Sequence, residues 1–211
     1  MNSMERILAT LAGEPVDRRP FCAVLSMYGA RLINCPLRQY YTDPNAYARG
    51  QDAVRTTFAP DILLGPFCSA VEGEAFGSRI RFFNDQPPNV QEPAIASAQE
   101  ISQIAAPDVD SQPQLVYLRQ ALRGVKSLCG METPVAAVTL NPVDLPIMIM
   151  GLDGWMQTVL FDEEGVKKML DVTKPYFIRW ANALFSDGAD LLVTPAPSLS
   201  PRIVPPGIAD K

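Results

Sequence analysis

The stretch that decides the fold is Phe58-Ala-Pro-Asp-Ile-Leu-Leu-Gly-Pro-Phe-Cys-Ser-Ala-Val-Glu-Gly-Glu-Ala-Phe-Gly77. It contains a short apolar run, Ile62–Leu64, which Gly65 and Pro66 close. A run this short between chain breakers predicts a buried strand. In α/β proteins the chain then passes over the carboxyl edge of the strand, where ligands bind. Cys68 follows at this edge. It either lines a pocket or fills the core as a small apolar residue, which is the commoner fate of a free cysteine.

Three other apolar segments have the same character and alternate with predicted helices. They are Phe21–Leu25, Val135–Leu140 and Leu191–Thr194. This alternation predicts βα units around a parallel sheet. A closed (β/α)8 barrel needs about 250 residues. Four strands in 211 residues therefore predict one α/β domain, residues 1–211, that forms about the first half of a TIM-type barrel.

Capping residues and turn formers locate the other elements. We predict helices at Met4–Ala12, from Asp43-Pro44 to about Phe58, after Ser97, at Pro113–Cys129 with Leu128 facing inward, after Asn141-Pro142, and from Asp162 to Gly188 with an interruption at Pro175. Residues Ser78–Phe83 alternate between apolar and charged side chains, which predicts an exposed hairpin strand.

Composition excludes several classes of protein. The chain is 47% hydrophobic, carries a net charge of −5 and has no basic cluster, so we expect no binding to nucleic acid. It has no apolar run of membrane-spanning length and no signal-peptide pattern, so we expect a cytoplasmic protein without a membrane partner. The four cysteines are widely spaced, which is typical of reduced thiols. Because the chain lacks histidine, it cannot form a Ser-His-Asp triad or a histidine-bearing zinc site.

Several segments occur in an order that matches a known family. They are Arg6–Asp17, Gly65-Pro-Phe-Cys68 with Glu74-Ala-Phe-Gly77, Asn84-Asp-Gln-Pro87, and Gly188-Ala-Asp190. Their order and spacing resemble the uroporphyrinogen decarboxylase superfamily, and within it the methylcobamide:coenzyme M methyltransferase branch. The resemblance covers nearly the whole chain. It implies a (β/α)8 barrel with its active site at the carboxyl ends of the strands.

The resemblance also implies cofactors and substrates. In that branch, zinc bound through His-x-Cys and a later Cys holds a thiol as thiolate, which takes a methyl group from a methylcobamide or corrinoid protein. This chain lacks those zinc ligands, so we expect the 211 residues alone to be inactive. One alternative is uroporphyrinogen decarboxylase activity in porphyrin biosynthesis, although only Arg31 of the decarboxylase Arg-x-x-x-Arg motif is present. A second alternative is a non-catalytic half-barrel that binds a partner or a tetrapyrrole-like ligand.

Candidate substrate-binding residues follow the predicted strands or open the next element. They are Cys68, Arg31, Tyr28, Ser26, Gln86 and Asn141. For Gln86 and Asn141, loop and helix capping are the competing roles, and for Arg31 a solvated surface position. Glu72 and Glu74 could pair for acid/base chemistry, but residues two positions apart point in different directions on a helix, so we expect both to be solvated. No catalytic residue is assigned.

Half a barrel would leave an apolar sheet face and unpaired strand edges uncovered. We therefore expect the chain either to form a homodimer or to be completed by the other half of a longer chain.

Overall fold

A computed structural model describes residues 1–200 and 202–209. The α-helices are α1 (Ser3–Ala12), α2 (Tyr28–Leu32), α3 (Leu37–Tyr40), α4 (Pro44–Phe58), α5 (Ser69–Ala75), α6 (Pro113–Cys129), α7 (Leu145–Met150), α8 (Leu152–Phe161), α9 (Glu163–Ser186) and α10 (Pro206–Ala209). The strands are β1 (Leu63–Leu64), β2 (Arg79–Arg81), β3 (Asn89–Glu92), β4 (Val135–Val138) and β5 (Leu191–Val193). Short 3₁₀ helices cover Ala98–Gln103 and Pro197–Leu199.

Three of these strands form a parallel sheet in the order β1-β4-β5. Leu63 pairs with Val135, and Ala136 pairs with both Leu64 and Leu191. The helices α6 and α9 lie between successive strands in the chain, so the predicted βα units are confirmed. The sheet is open, with β1 and β5 at its edges, and Val193 of β5 is 45% exposed.

Local sequence signals explain where the helices begin. Asn2 accepts a hydrogen bond from the Glu5 N–H at 2.8 Å and donates its own N–H to the Glu5 carboxylate at 3.0 Å, which completes a capping box. Asp43 accepts from the Asn45 N–H at 2.9 Å, with Pro44 in the first turn. The predicted hairpin is also confirmed, since β2 pairs with β3 in an antiparallel arrangement.

The prediction of a strand at Phe21–Leu25 was wrong. This segment is irregular and Phe21 is exposed. It lies beside the start of β1, where the Asp61 N–H donates to the Phe21 carbonyl at 2.7 Å. The Leu25 N–H instead donates to Ala23 within the segment. A strand needs a continuous ladder with a neighbour, and the described residues supply only the first rung.

Three predictions about helices also need correction. The interruption at Pro175 is absent, because α9 runs through it. Pro175 lies on the exposed side of the helix, where water can bond the carbonyl that loses its partner. Leu128, in the last turn of α6, is 44% exposed and does not face the core. The short helix predicted after Ser97 is present as a 3₁₀ helix, but the Ser97 side chain does not cap its backbone.

Ion pairs close the amino edge of the sheet. Asp61, just before β1, is fully buried and accepts hydrogen bonds from Arg6 at 2.6 Å and Arg18 at 2.6 Å. Asp190, just before β5, accepts from Lys126 at 2.7 Å and from the Val135 N–H at 2.8 Å. Each carboxylate therefore joins the start of a strand to a neighbouring segment.

No helix within the described ranges combines the length and apolar character needed to cross a bilayer.

Candidate functional site

The carboxyl edge of the sheet holds a buried carboxyl group, that of Glu72. It lies on α5, directly after β1, and the residue is 3% exposed. Its oxygens accept hydrogen bonds from the Thr139 hydroxyl at 2.8 Å and the Leu140 N–H at 3.3 Å, both just past the end of β4. The Tyr176 hydroxyl of α9 approaches at 3.5 Å. Glu72 therefore connects three elements, and the prediction that it is solvated was wrong.

The environment of Glu72 changes its acidity. Burial raises the pKa of Glu72 from its usual 4.5 to about 7, and the hydrogen bonds from Thr139, Leu140 and Tyr176 offset only part of this increase. A buried carboxyl that titrates near neutral pH at the carboxyl edge of a parallel sheet is a candidate functional group. Sequence spacing could have located it, because Cys68, Ala75 and Phe76 flank it at helical intervals on one buried face.

A hydrogen-bond network continues from Leu140 across the neighbouring loops. Asn141 accepts from the Val143 N–H at 2.8 Å and donates to the Pro195 carbonyl at 2.9 Å, beyond β5. Asp144 is 1% exposed and accepts from the Ser198 N–H at 3.1 Å. The loops after β4 and β5 are thereby held together. Asn141 caps the turn before α7, which begins at Leu145, and its amide oxygen and nitrogen both bond within the protein.

Ser26, a predicted site residue, joins the first loop to the segment after β1. Its hydroxyl lies 2.9 Å from the Tyr47 hydroxyl and 3.5 Å from the Phe67 N–H that approaches it. Its carbonyl accepts from Tyr40 at 3.0 Å. Ser26 is buried, so these contacts fix its position next to the chain that leads into Cys68.

Cys68 lies in the core cluster at the start of α5 and is buried. Burial raises the pKa of the Cys68 thiol to about 12, so the group stays protonated at neutral pH. The structure thus gives Cys68 the packing environment expected of a small apolar residue, and its role in substrate binding stays a prediction.

The other three predicted site residues lie on the surface. The Tyr28 ring lies tilted against the Phe58 ring, with centroids 5.8 Å apart, and the Arg31 guanidinium lies 5.8 Å from the centre of the Tyr28 ring. Gln86 is exposed in the loop between β2 and β3. Of the six predicted residues, Ser26 and Cys68 lie on adjacent segments, and Tyr28 and Arg31 form a separate exposed pair.

A cavity of about 580 Å³ lies among α8, α9 and the loops after β4 and β5. Its lining is mostly apolar and includes Trp155, Met156 and Val166, with Lys167 and Lys174 at its wall. Two lining residues, Trp155 and Ser198, each carry a buried polar atom without a partner among the described residues. The volume falls in the range of small-molecule sites.

The residues present do not fit a zinc ion. Within residues 1–200 and 202–209, no three His, Cys, Asp or Glu side chains come together to hold a metal. The four cysteines lie in different environments: Cys22 is exposed, Cys35 and Cys129 are half-buried, and Cys68 is buried. No chemical step through zinc can be assigned to these residues.

The parallel βα sheet with polar groups at its carboxyl edge defines an α/β protein. Residues 2–206 match the sequence model of the uroporphyrinogen decarboxylase (URO-D) family, so the chain belongs to that family. The methylcobamide:CoM methyltransferase MtaA of Methanosarcina barkeri is 25% identical over 207 residues, and MtbA of Methanosarcina mazei is 24% identical over 204 residues. Both alignments cover 95% of this chain and 60% of the relative.

A solved structure shows the same fold. A methyltransferase from Methanosarcina mazei superposes with a TM-score of 0.86 at 22% identity, over 99% of this chain and 63% of that chain. The chain thus spans about 60% of the length of the curated relatives it matches.

Proposed function

We propose that this chain is part of a corrinoid-dependent methyltransferase that moves a methyl group from a methylcobamide to a thiol. The observation that carries the proposal is the similarity to named methylcobamide:CoM methyltransferases along 95% of the chain. In the reaction, the cobalt–carbon bond breaks, the electron pair stays with cobalt, and a sulfur–carbon bond forms as the thiol loses its proton. The thiolate is the reactive form of the nucleophile.

The described residues would contribute position and shape to this reaction. The network from Glu72 to Ser198 holds the loops after β1, β4 and β5 together at the carboxyl edge, where barrel enzymes bind their substrates. The cavity beside these loops has room for a small thiol, and its wall carries both acidic and basic side chains, with Lys167 paired to Glu163 at 2.9 Å. We retain Cys68, Ser26, Tyr28, Arg31, Gln86 and Asn141 as proposed substrate-binding residues.

Activation of the thiol by zinc is not provided by the described residues. We therefore propose that residues 1–211 alone do not turn over. A second candidate function is a non-catalytic half-barrel that binds a partner or a tetrapyrrole-like ligand.

Methyl transfer from methylcobalamin to a thiol tests the proposal, with the longest product of the gene, zinc in the buffer and the cobalamin spectrum as the readout. We expect transfer by that product and none by residues 1–211. Release of carbon dioxide from uroporphyrinogen without methyl transfer would overturn the proposal in favour of decarboxylation. Thermal stabilisation by methylcobalamin without turnover would overturn it in favour of a binding protein.

We also propose that the open edge at β5 is covered, either by a second copy or by further chain. Sedimentation of residues 1–211 tests this. We expect a concentration-dependent dimer or binding of a hydrophobic dye, because Val193 and its neighbours leave apolar surface uncovered. A monomer at all concentrations that binds no dye would contradict it.

A further inference from the structure

The hydrogen bonds around Glu72 point to a role for this residue beyond packing. We propose that Glu72 is a positioning residue that fixes the backbone at Thr139 and Leu140, and that its hydrogen bonds rearrange when it gains or loses a proton. The proposal rests on the hydrogen-bond geometry and does not depend on methyl transfer.

Glu72 has no positively charged partner in the part of the chain that the structure describes. In residues 1–200 and 202–209, no Lys or Arg forms an ion pair with Glu72. A buried carboxylate without a cation is costly, so the neutral form becomes accessible near neutral pH. A glutamine would pack in the same space without this cost. The ionisable group therefore adds a property that packing alone does not require.

The charged and the neutral form of Glu72 make different hydrogen bonds with Thr139. The Thr139 hydroxyl lies 2.8 Å from Glu72 Oε2 and 3.4 Å from the Leu140 carbonyl. The charged carboxylate accepts the hydroxyl hydrogen of Thr139. The neutral carboxyl donates its own hydrogen to Thr139 Oγ1, and the hydroxyl hydrogen then turns toward the Leu140 carbonyl. The Leu140 N–H faces Glu72 Oε1 at 3.3 Å, so a change of charge at Glu72 reaches Leu140 at both its N–H and its carbonyl.

Leu140 is connected through the next residue to the loops after β4 and β5. The next residue is Asn141, which bonds to the Pro195 carbonyl beyond β5. A shift of the Leu140 backbone therefore displaces Asn141, the residue that joins the loops after β4 and β5. This connection makes Glu72 a positioning residue for the edge as a whole.

Few other groups titrate in the same range around Glu72. From α9, burial raises the pKa of Tyr176 well above 10, so it stays neutral. On α5 itself, burial keeps the Cys68 thiol protonated, and Glu74 is half-exposed on a different side of the helix. From α6, burial raises the pKa of Tyr117, which faces Cys68. Thr139 and Leu140, from the end of β4, carry no titratable side chain.

The test is the amide signal of Leu140 in the purified gene product labelled with ¹⁵N-leucine, followed from about two pH units below to two above the Glu72 pKa of about 7. We expect a single titration of this signal with a midpoint near that pKa, because the carboxyl group facing the N–H changes charge. Glu72→Gln should abolish the titration, and the matched control Glu74→Gln should leave it unchanged.

A second variant covers the case in which Glu72→Gln does not fold. Thr139→Val removes one donor to the carboxylate, so it should retain the Leu140 titration but move the midpoint to higher pH. A residue with a merely structural role would change stability without a pH-dependent amide signal. A Leu140 signal that stays constant with pH, or that titrates equally in Glu72→Gln, would overturn the proposal.

Discussion

The two edges of the parallel sheet treat buried carboxyl groups in opposite ways. At the amino edge, Asp61 is surrounded by cations. Burial alone would raise its pKa, but hydrogen bonds from Arg18, the Phe21 N–H, Ser3 and Arg6 outweigh burial and lower it to about 2. At the carboxyl edge, Glu72 has only neutral donors, and its pKa rises to about 7. The amino edge thus holds a carboxylate that is charged and paired, and the carboxyl edge, where barrel enzymes have their active sites, holds a carboxyl group that can change charge.

The largest expected effect comes from breaking the amino edge. Asp61→Ala leaves the buried Arg6 guanidinium without one of its partners and the Phe21 N–H without its acceptor. We expect the free energy of unfolding in urea to fall by about 3–5 kcal/mol, as when one partner of a buried pair is removed. The control is Asp52→Ala, whose pair with Arg55 is partly exposed and should contribute less than about 1 kcal/mol. Equal small losses in both variants would remove the contrast.

The next effect tests the carboxyl edge. Because the pKa of Glu72 is higher in the folded state than its usual 4.5, the wild-type protein should lose stability as the pH rises from about 4.5 to about 7. Glu72→Gln has no charge to bury, so at pH above 7 it should be more stable than wild type by up to about 3 kcal/mol, at 1.36 kcal/mol per pKa unit. At low pH the two proteins should be alike.

Unfolding in urea at several pH values measures this difference. Glu74→Gln, two positions along the same helix, should show no such gain in stability over wild type at high pH. A stability deficit of Glu72→Gln relative to wild type that grows as the pH rises would mean that the carboxylate is the favoured buried form.

The amino edge should show the opposite dependence on pH. The pKa of Asp61 is lowered, so its stabilising contribution is present above its usual pKa of 3.8 and is lost as the pH falls toward 2. The stability difference between wild type and Asp61→Asn should therefore shrink on acidification. Thermal unfolding of both proteins from neutral pH to about pH 2 measures it, and a difference that stays constant would contradict the assigned ion pairs.

The smallest effect concerns Tyr176. Its hydroxyl is 3.5 Å from Glu72, while its ring contacts Phe76 with centroids 4.9 Å apart. Tyr176→Phe keeps the ring contact and removes one weak donor to the carboxylate. We expect a stability loss below about 1 kcal/mol and a slightly higher Glu72 pKa, seen as an upward move of the midpoint in the pH dependence of unfolding. A downward move would mean that Tyr176 does not donate to Glu72.

Features that depend on neighbouring residues could be predicted from the sequence, and features that depend on distant segments could not. Local signals were sufficient for helices α1 and α4, since Asn2 and Asp43 cap the backbone a few residues away. They were also sufficient for the three parallel strands and the hairpin. The prediction of a strand at Phe21–Leu25 was wrong because strand pairing depends on distant segments. The predicted interruption at Pro175 was wrong because the residue is exposed, which allows the helix to continue.

The candidate site was also hard to predict because its contacts join residues that are far apart in the sequence. Glu72 was assigned to a solvated face from its spacing to Glu74, yet its partners lie 67 and 68 residues away at Thr139 and Leu140. Asn141 was predicted to be the N-cap of the helix that follows, but Asp144 holds that position in α7, and Asn141 caps the turn at Val143 instead. The ion pairs of Asp61 also join residues far apart in the chain, which no local pattern predicts.

The most direct measurement of the central claim is the carboxyl ¹³C signal of Glu72 as a function of pH, in protein labelled with ¹³C-glutamate and assigned by its loss in Glu72→Gln. The chemical shift of this carbon reports its own protonation. The account predicts a midpoint near 7 for Glu72. A midpoint near the usual 4.5 would show that Glu72 is charged at neutral pH and would contradict the contrast between the two edges.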